Sequence, residues 1–318
     1  MLTGDEKFVR SGRLRLWTER FGRPGNPTVL MIMGTSTQGI GWPDELVEAL
    51  VDNGRQVIRF DHRDTGLSDA VDFTTHPFAL ADMAADAAAV LDGHGVTAAD
   101  IVGISLGAAI GQWLAVHQGA RVRTLTAIAS SPMGNNPGPA WALAVAGQPA
   151  AAGELPPPTA RFLNHLMASA TAPRATRRQR IDADVQTWRV LNGDVLPFDE
   201  AAARRFTERC YARTGNITAA LNHDLAGRRF GDDRRAPLSA VTTPDVGRAR
   251  QRGCPVPARP RRSTRGTDPG RATGGAARHG APPVLLTRSH TADRRPDHPS
   301  HDRTADGVAG GGSNEGRI

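Results

Sequence analysis

Residues 101–109 read IVGISLGAA. Ser105 follows the apolar residues Ile101, Val102 and Ile104, and Gly103 and Gly107 flank it in a G-x-S-x-G pattern. DIVGIS predicts a buried strand, and LGAAIGQWLAVH (residues 106–117) predicts a helix of small residues that can pack closely on a sheet. A serine on a tight turn from strand to helix is lifted out at the carboxyl edge of the sheet, where open α/β sheets take ligands. The glycines serve that turn, which is strained and brings the helix close to the strand. The helix N-terminus favours developing negative charge, which makes the Leu106 N–H a candidate oxyanion donor. The second donor is expected on the loop after the first strand, at Gly34–Thr35, and is assigned to the Thr35 N–H.

TVLMIMG (28–34), QVIRFD (56–61) and RTLTAIASS (123–131) read as further strands. Residues 42–54 and 79–94 read as amphipathic helices between them. This alternation predicts an α/β fold with a doubly wound, mostly parallel sheet. From residue 133 to 235 strand signals vanish, and helices are expected at 139–147, 159–170, 175–191, 199–213 and 217–228. The expected organisation is a core at 1–132 carrying the serine turn and a helical cap at 133–236. A return toward the core at 237–244 and a tail at 245–318 complete it.

Four stretches carry a resemblance: LMIMGTSTQGIGWPDEL, VIRFDHRDTGLSD, IVGISLGAAIGQWLA and VLNGDVLPFDEAAARRF. In this order they resemble the α/β-hydrolases, among them esterases of the aclacinomycin methylesterase kind, over about residues 8–244. The resemblance implies a capped hydrolase with a Ser, Asp, His triad, cleaving carboxylic esters that include methyl esters. It matches Ser105 to the nucleophile, and Thr35 and Leu106 to the oxyanion donors. Asp61, His62, Arg63 and Asp64 then read as a loop-bracing cluster rather than as catalytic groups. His94 and His117 end helices, where a cation suits the dipole. His165 and His223 lie in the helical insertion and are poorly placed to take a proton from Ser105.

Charge is unevenly spread. Up to Pro244 the chain carries 25 basic and 25 acidic residues, and beyond it 14 arginines face 7 acids. The net charge of +7 is therefore a property of the tail, and a nucleic-acid face is not expected. The tail has no Phe, Trp or Tyr and few large aliphatics, so it is expected to be disordered. MLTGDEKF does not read as a signal peptide, and no apolar run is long enough to span a membrane. Cys210 and Cys254 form no metal or disulfide pattern. A cytoplasmic protein with no cofactor and no membrane or nucleic-acid partner is expected. Its expected substrate is a small apolar ester, in keeping with Trp141, Phe162, Leu166, Met167 and Trp188 in the helical segment.

The triad acid and histidine should follow in the order Ser, Asp, His. The family pattern has HG-x-x-D, IPGA and GMGH, and none occurs after Pro244. Codon degeneracy supplies a reason. Read one base out of phase, the codons for DVGRARQRG and Cys254 permit TSVVHGNAD. Those for DPGRAT and Gly274 permit IPGARL, and those for RHGA and Pro282 permit GMGH. All three lie in one frame, so the reading is a frameshift near the Pro244 and Asp245 codons, with neither triad partner encoded in frame. The expected chain is a serine carboxylesterase by family with weak or no activity. The alternatives are a non-catalytic small-molecule binder and other chemistry on this fold, such as C–C bond hydrolysis or perhydrolysis.

Overall fold

The computed structural model describes residues 3–133, 138–149, 158–171, 174–216 and 218–227. The expected return at 237–244 and the tail at 245–318 lie outside the described residues. Among the described residues, six strands form one sheet: β1 (Asp5–Ser11), β2 (Leu14–Phe21), β3 (Thr28–Ile32), β4 (Gln56–Phe60), β5 (Ala99–Ile104) and β6 (Val122–Ile128), in spatial order β1-β2-β4-β3-β5-β6. From β4 to β6 all pairs are parallel, whereas β2 pairs antiparallel with both β1 and β4. The sheet is thus mixed, and the β1–β2 hairpin is an addition to the strands expected from the sequence. Gly12 turns between the two strands at φ 56°, a left-handed geometry that glycine adopts without steric penalty.

Helices α1 (Asp44–Asp52), α2 (Leu80–Gly93) and α3 (Leu106–His117) connect the parallel strands. β3 and β4 are buried at every position, so side chains from both faces enter apolar layers. One layer gathers Leu30, Ile32, Ile58 and Ile101 with Leu80, Met83 and Leu91 of α2 and Ile110 and Leu114 of α3. The other joins Val29, Met31 and Val57 to Trp42 and Val47 at α1. Arg59 of β4 is buried too, and is held by Glu19 and Asp44, each at 2.9 Å, with its guanidinium 5.0 Å from the Phe21 ring centre.

Beyond β6 the described elements are helical: α4 (Gly138–Val145), α5 (Ala160–Thr171), α6 (Arg177–Asn192), α7 (Glu200–Arg213) and α8 (Asn222–Gly227). Local chemistry sets their starts. Thr176 and Gln179 exchange side chain to backbone hydrogen bonds at the head of α6, and Asp199 accepts the Ala202 N–H at the head of α7. Trp188 of α6 packs edge-on to Phe206 of α7, so this expected substrate-facing ring serves helix packing. Trp141, Leu166 and Met167 stay exposed in part.

Candidate active site

Ser105 stands between β5 and α3 with φ 52° and ψ −114°. For a residue with a Cβ this left-handed geometry costs about 1–2 kcal/mol, so the surroundings must enforce it. They do so from both sides. The Ser105 N–H donates to Ile128 O at 2.8 Å, and Ser105 O accepts the N–H groups of Ala108 and Ala109 at 3.1 Å. A methyl group on Gly107 would overlap Ile32 O and Met33 O, and one on Gly103 would overlap Gly107 O. The glycines are therefore needed for the approach of α3 to β3 and β5. The Ser105 side chain makes no capping bond to α3 and the residue is exposed at the strand end.

The parallel pairing of Ile32 with Gly103 puts the loop after β3 beside the serine turn. A methyl group on Gly34 would lie 3.5 Å from Ser105 Cβ. The structure thus brings Gly34–Thr35, Ser105 and Leu106 together. Among the described residues, neither the Thr35 nor the Leu106 N–H donates to any group. Free donors in such a place are suited to the negative charge that grows on a carbonyl oxygen when a hydroxyl adds to its carbon.

Side chains from the loop after β4 and from the helical segment anchor this loop. His62, fully buried, approaches Met33 O at 2.9 Å through Nε2, which must donate. His223, equally buried, accepts the Ser36 N–H at Nδ1 (2.9 Å) and donates Nε2–H to Arg63 O (2.9 Å). The Ser36 hydroxyl donates to Ala220 O at 2.8 Å, and Ser36 itself is left-handed at φ 58°. Gln38 donates to Cys210 O at 2.9 Å and accepts from Arg213 at 2.6 Å. Burial lowers the His62 and His223 imidazoles to about 4 and about 3.

The DHRD cluster binds backbone. Asp61, fully buried, accepts the N–H groups of Gly39 (2.8 Å) and Leu67 (3.0 Å), and burial raises its carboxyl above the usual range. Asp64 accepts the Val71 N–H at 2.6 Å and the Asn222 amide at 3.1 Å. Arg63 grips Asp86 at 2.6 and 2.8 Å and lies 4.9 Å from the Phe78 ring centre. Among the described residues no histidine or carboxylate is hydrogen-bonded to the Ser105 hydroxyl. His165 approaches Thr187 at 2.9 Å, His94 approaches Thr18 at 2.9 Å, His76 approaches Thr75 at 2.8 Å, and the His117 ring lies 4.4 Å from that of Trp113.

The sequence model of the alpha/beta hydrolase fold matches residues 25–221, a span that holds the serine turn and its neighbouring loop. The chain belongs to the α/β-hydrolase fold family. This hydrolase is 38% identical over 238 residues to rhodomycin D methylesterase DnrP of Streptomyces peucetius, covering 75% of this chain and 79% of that protein. It is 36% identical, with the same coverage, to rhodomycin D methylesterase DauP of Streptomyces sp. (strain C5). Among solved structures it is similar to one from the Thaumarchaeon Nitrososphaera gargenis, reported in a study of carboxylesterases. There the TM-score is 0.50 at 15% identity, over 69% of this chain and 71% of that one, which supports the fold.

Proposed function

We propose that the chain is a serine esterase by descent, with Ser105 as nucleophile and the Thr35 and Leu106 N–H groups as oxyanion donors. The observation that carries this reading is the left-handed Ser105 at the β5–α3 junction, exposed and with the Gly34–Thr35 loop packed beside it. In the reaction, Ser105 Oγ adds to the ester carbonyl and gives up its proton. The carbonyl oxygen becomes an anion within reach of the two N–H groups, and the alcohol leaves an acyl-enzyme that water then cleaves. The methylesterase relatives support a carboxylic ester, and within that class a methyl ester.

The proton acceptor is the missing part. The frameshift reading places codons for the triad acid across Gly253 and Cys254, and for the histidine across Ala281 and Pro282. On that reading the protein as translated retains the serine and its anion site and lacks the base. Loss of triad members still leaves roughly 10³–10⁴-fold catalysis over water from the anion site and binding. A second reading, a non-catalytic binder of apolar esters, is favoured by the engagement of every described imidazole away from Ser105. The test is to sequence genomic DNA across codons 235–290 and to assay p-nitrophenyl acetate hydrolysis by the full chain and by Ser105→Ala. Spelling of HG-x-x-D, IPGA and GMGH in the second frame, with hydrolysis lost in Ser105→Ala, supports the esterase. Ester binding with no difference between the two proteins supports the binder.

A further inference from the structure

Two buried imidazoles grip opposite ends of the loop that carries the proposed oxyanion donor. His62, on the loop after β4, holds Met33 O, and His223, on α8, holds the Ser36 N–H. Thr35 lies between these two attachment points. The rings also touch each other edge to face, with centres 5.7 Å apart. We infer that His223 is a positioning residue of the hydrolase site: its neutral ring ties the helical segment to the oxyanion loop and fixes the direction of the Thr35 N–H. This inference rests on the esterase reading for its kinetic consequence, though not for its geometry.

The bonding pattern dictates the ring's state. Arg63 O can only accept, so Nε2 carries the proton, and the Ser36 N–H can only donate, so Nδ1 carries the lone pair. An imidazolium would set an N–H of its own against the Ser36 N–H. The groups facing the ring are the His62 and Phe78 rings, the Arg63 backbone and the Arg63–Asp86 pair. Burial, aided by the His62 ring and the Arg63 charge, holds the ring neutral against the hydrogen bond to Arg63 O and the pull of Asp86. Ser36 needs such a partner, because its left-handed backbone is not one that serine prefers. A second link, from the Ser36 hydroxyl to Ala220 O, comes from the same stretch of chain. Where the helical segment sits therefore determines how the loop is held. Withdrawal of the stretch from Ala220 to His223 would remove both bonds at once.

Two substitutions separate the two ring nitrogens. His223→Asn keeps an acceptor at the position of Nδ1, and His223→Gln keeps a donor at the position of Nε2. The full chain and both variants are compared by amide hydrogen exchange at Ser36 and by Ser105-dependent hydrolysis of p-nitrophenyl acetate, taken as the difference from Ser105→Ala. Faster Ser36 exchange is expected in the Gln variant than in the Asn variant. The Gln variant is also expected to lose about 10–100-fold in kcat with KM little changed, and the Asn variant to recover most of it. The unsubstituted chain gives an independent reading by nitrogen NMR, with His223 as the Nε2–H tautomer and no titration between pH 5 and 8. Equal Ser36 exchange in the two variants, or a His223 ring that titrates in that range, overturns the inference. Hydrolysis that survives Ser105→Ala instead refutes the esterase reading and leaves the exchange and tautomer results to decide the positioning role.

Discussion

Arg213, the last residue of α7, places its guanidinium 3.2 Å from the fully buried carboxylate of Asp61, on the loop after β4. The same side chain bonds Gln38 and lies 4.3 Å from the Trp17 ring centre. One cation thus joins the helical segment to β2, to the loop after β3 and to the loop after β4. Replacing it strands Asp61 in a site closed to water. Arg213→Met is expected to cost about 3 kcal/mol of stability. Asp61→Asn, which keeps an oxygen for the Gly39 or Leu67 N–H, is expected to cost less. Urea unfolding of the two variants checks the order.

Ser105 is held in a geometry that suits glycine better than serine. Ser105→Gly is therefore expected to raise stability by about 1 kcal/mol while abolishing any Ser105-dependent hydrolysis. Ser105→Ala keeps the Cβ and should abolish hydrolysis without that gain. The denaturant midpoints of the two variants distinguish strain from chemistry.

Gly107 has the opposite character. Its φ is ordinary, and the obstacle to a side chain is the backbone at the end of β3, at Ile32 and the following Met33. Gly107→Ala is expected to push α3 off the sheet, costing about 1–3 kcal/mol. Because Leu106 moves with α3, Ser105-dependent hydrolysis should fall further than stability does. Thermal unfolding and the ester assay on one preparation test this.

Acid should loosen the site before it unfolds the protein generally. His62 is lowered by burial from 6.5 to about 4, so the unfolded chain binds its proton first as the pH falls. The stability from a neutral His62 is complete above pH 6.5 and is lost as the pH drops toward 4, a loss of about 3 kcal/mol from that ring alone. His223 acts in the same direction over a window that reaches about pH 3. Asp61 and Asp64 act in the opposite direction, because burial raises both above 3.8 and the folded state keeps their protons longer. Their stabilising share is greatest at low pH and declines as the pH rises, which softens the slope. Chemical unfolding at pH 8, 6 and 4.5 should show falling stability, and His62→Gln should flatten the trend.

The serine turn was legible because its requirements are local. An apolar strand, two small residues around Ser105 and a helix of small residues all fall within residues 99–117. The parallel strands were legible for the same reason, as runs such as TVLMI, which is buried throughout. The β1–β2 hairpin was not, because β1 is mostly exposed and its charged residues break the apolar pattern a core strand would show. His223 escaped for a different reason. Its partners are backbone groups of Ser36 and Arg63, which carry no side-chain signature and lie far away in sequence. A histidine on a short helix near an asparagine gives no sign that it will be buried against the sheet.

The span between Ser36 and His223, 187 positions, also says something about assembly. Ser105 and its glycines can take their places once β3, β5 and α3 have been made. The loop beside them waits for a contact supplied by α8, long after the serine has left the ribosome. A nascent or interrupted chain ending before α8 would carry the Ser105 hydroxyl in its strained turn without the partner for Ser36. Site assembly is in this sense a late event in the life of the polypeptide, set by chain length rather than by the strength of the serine motif.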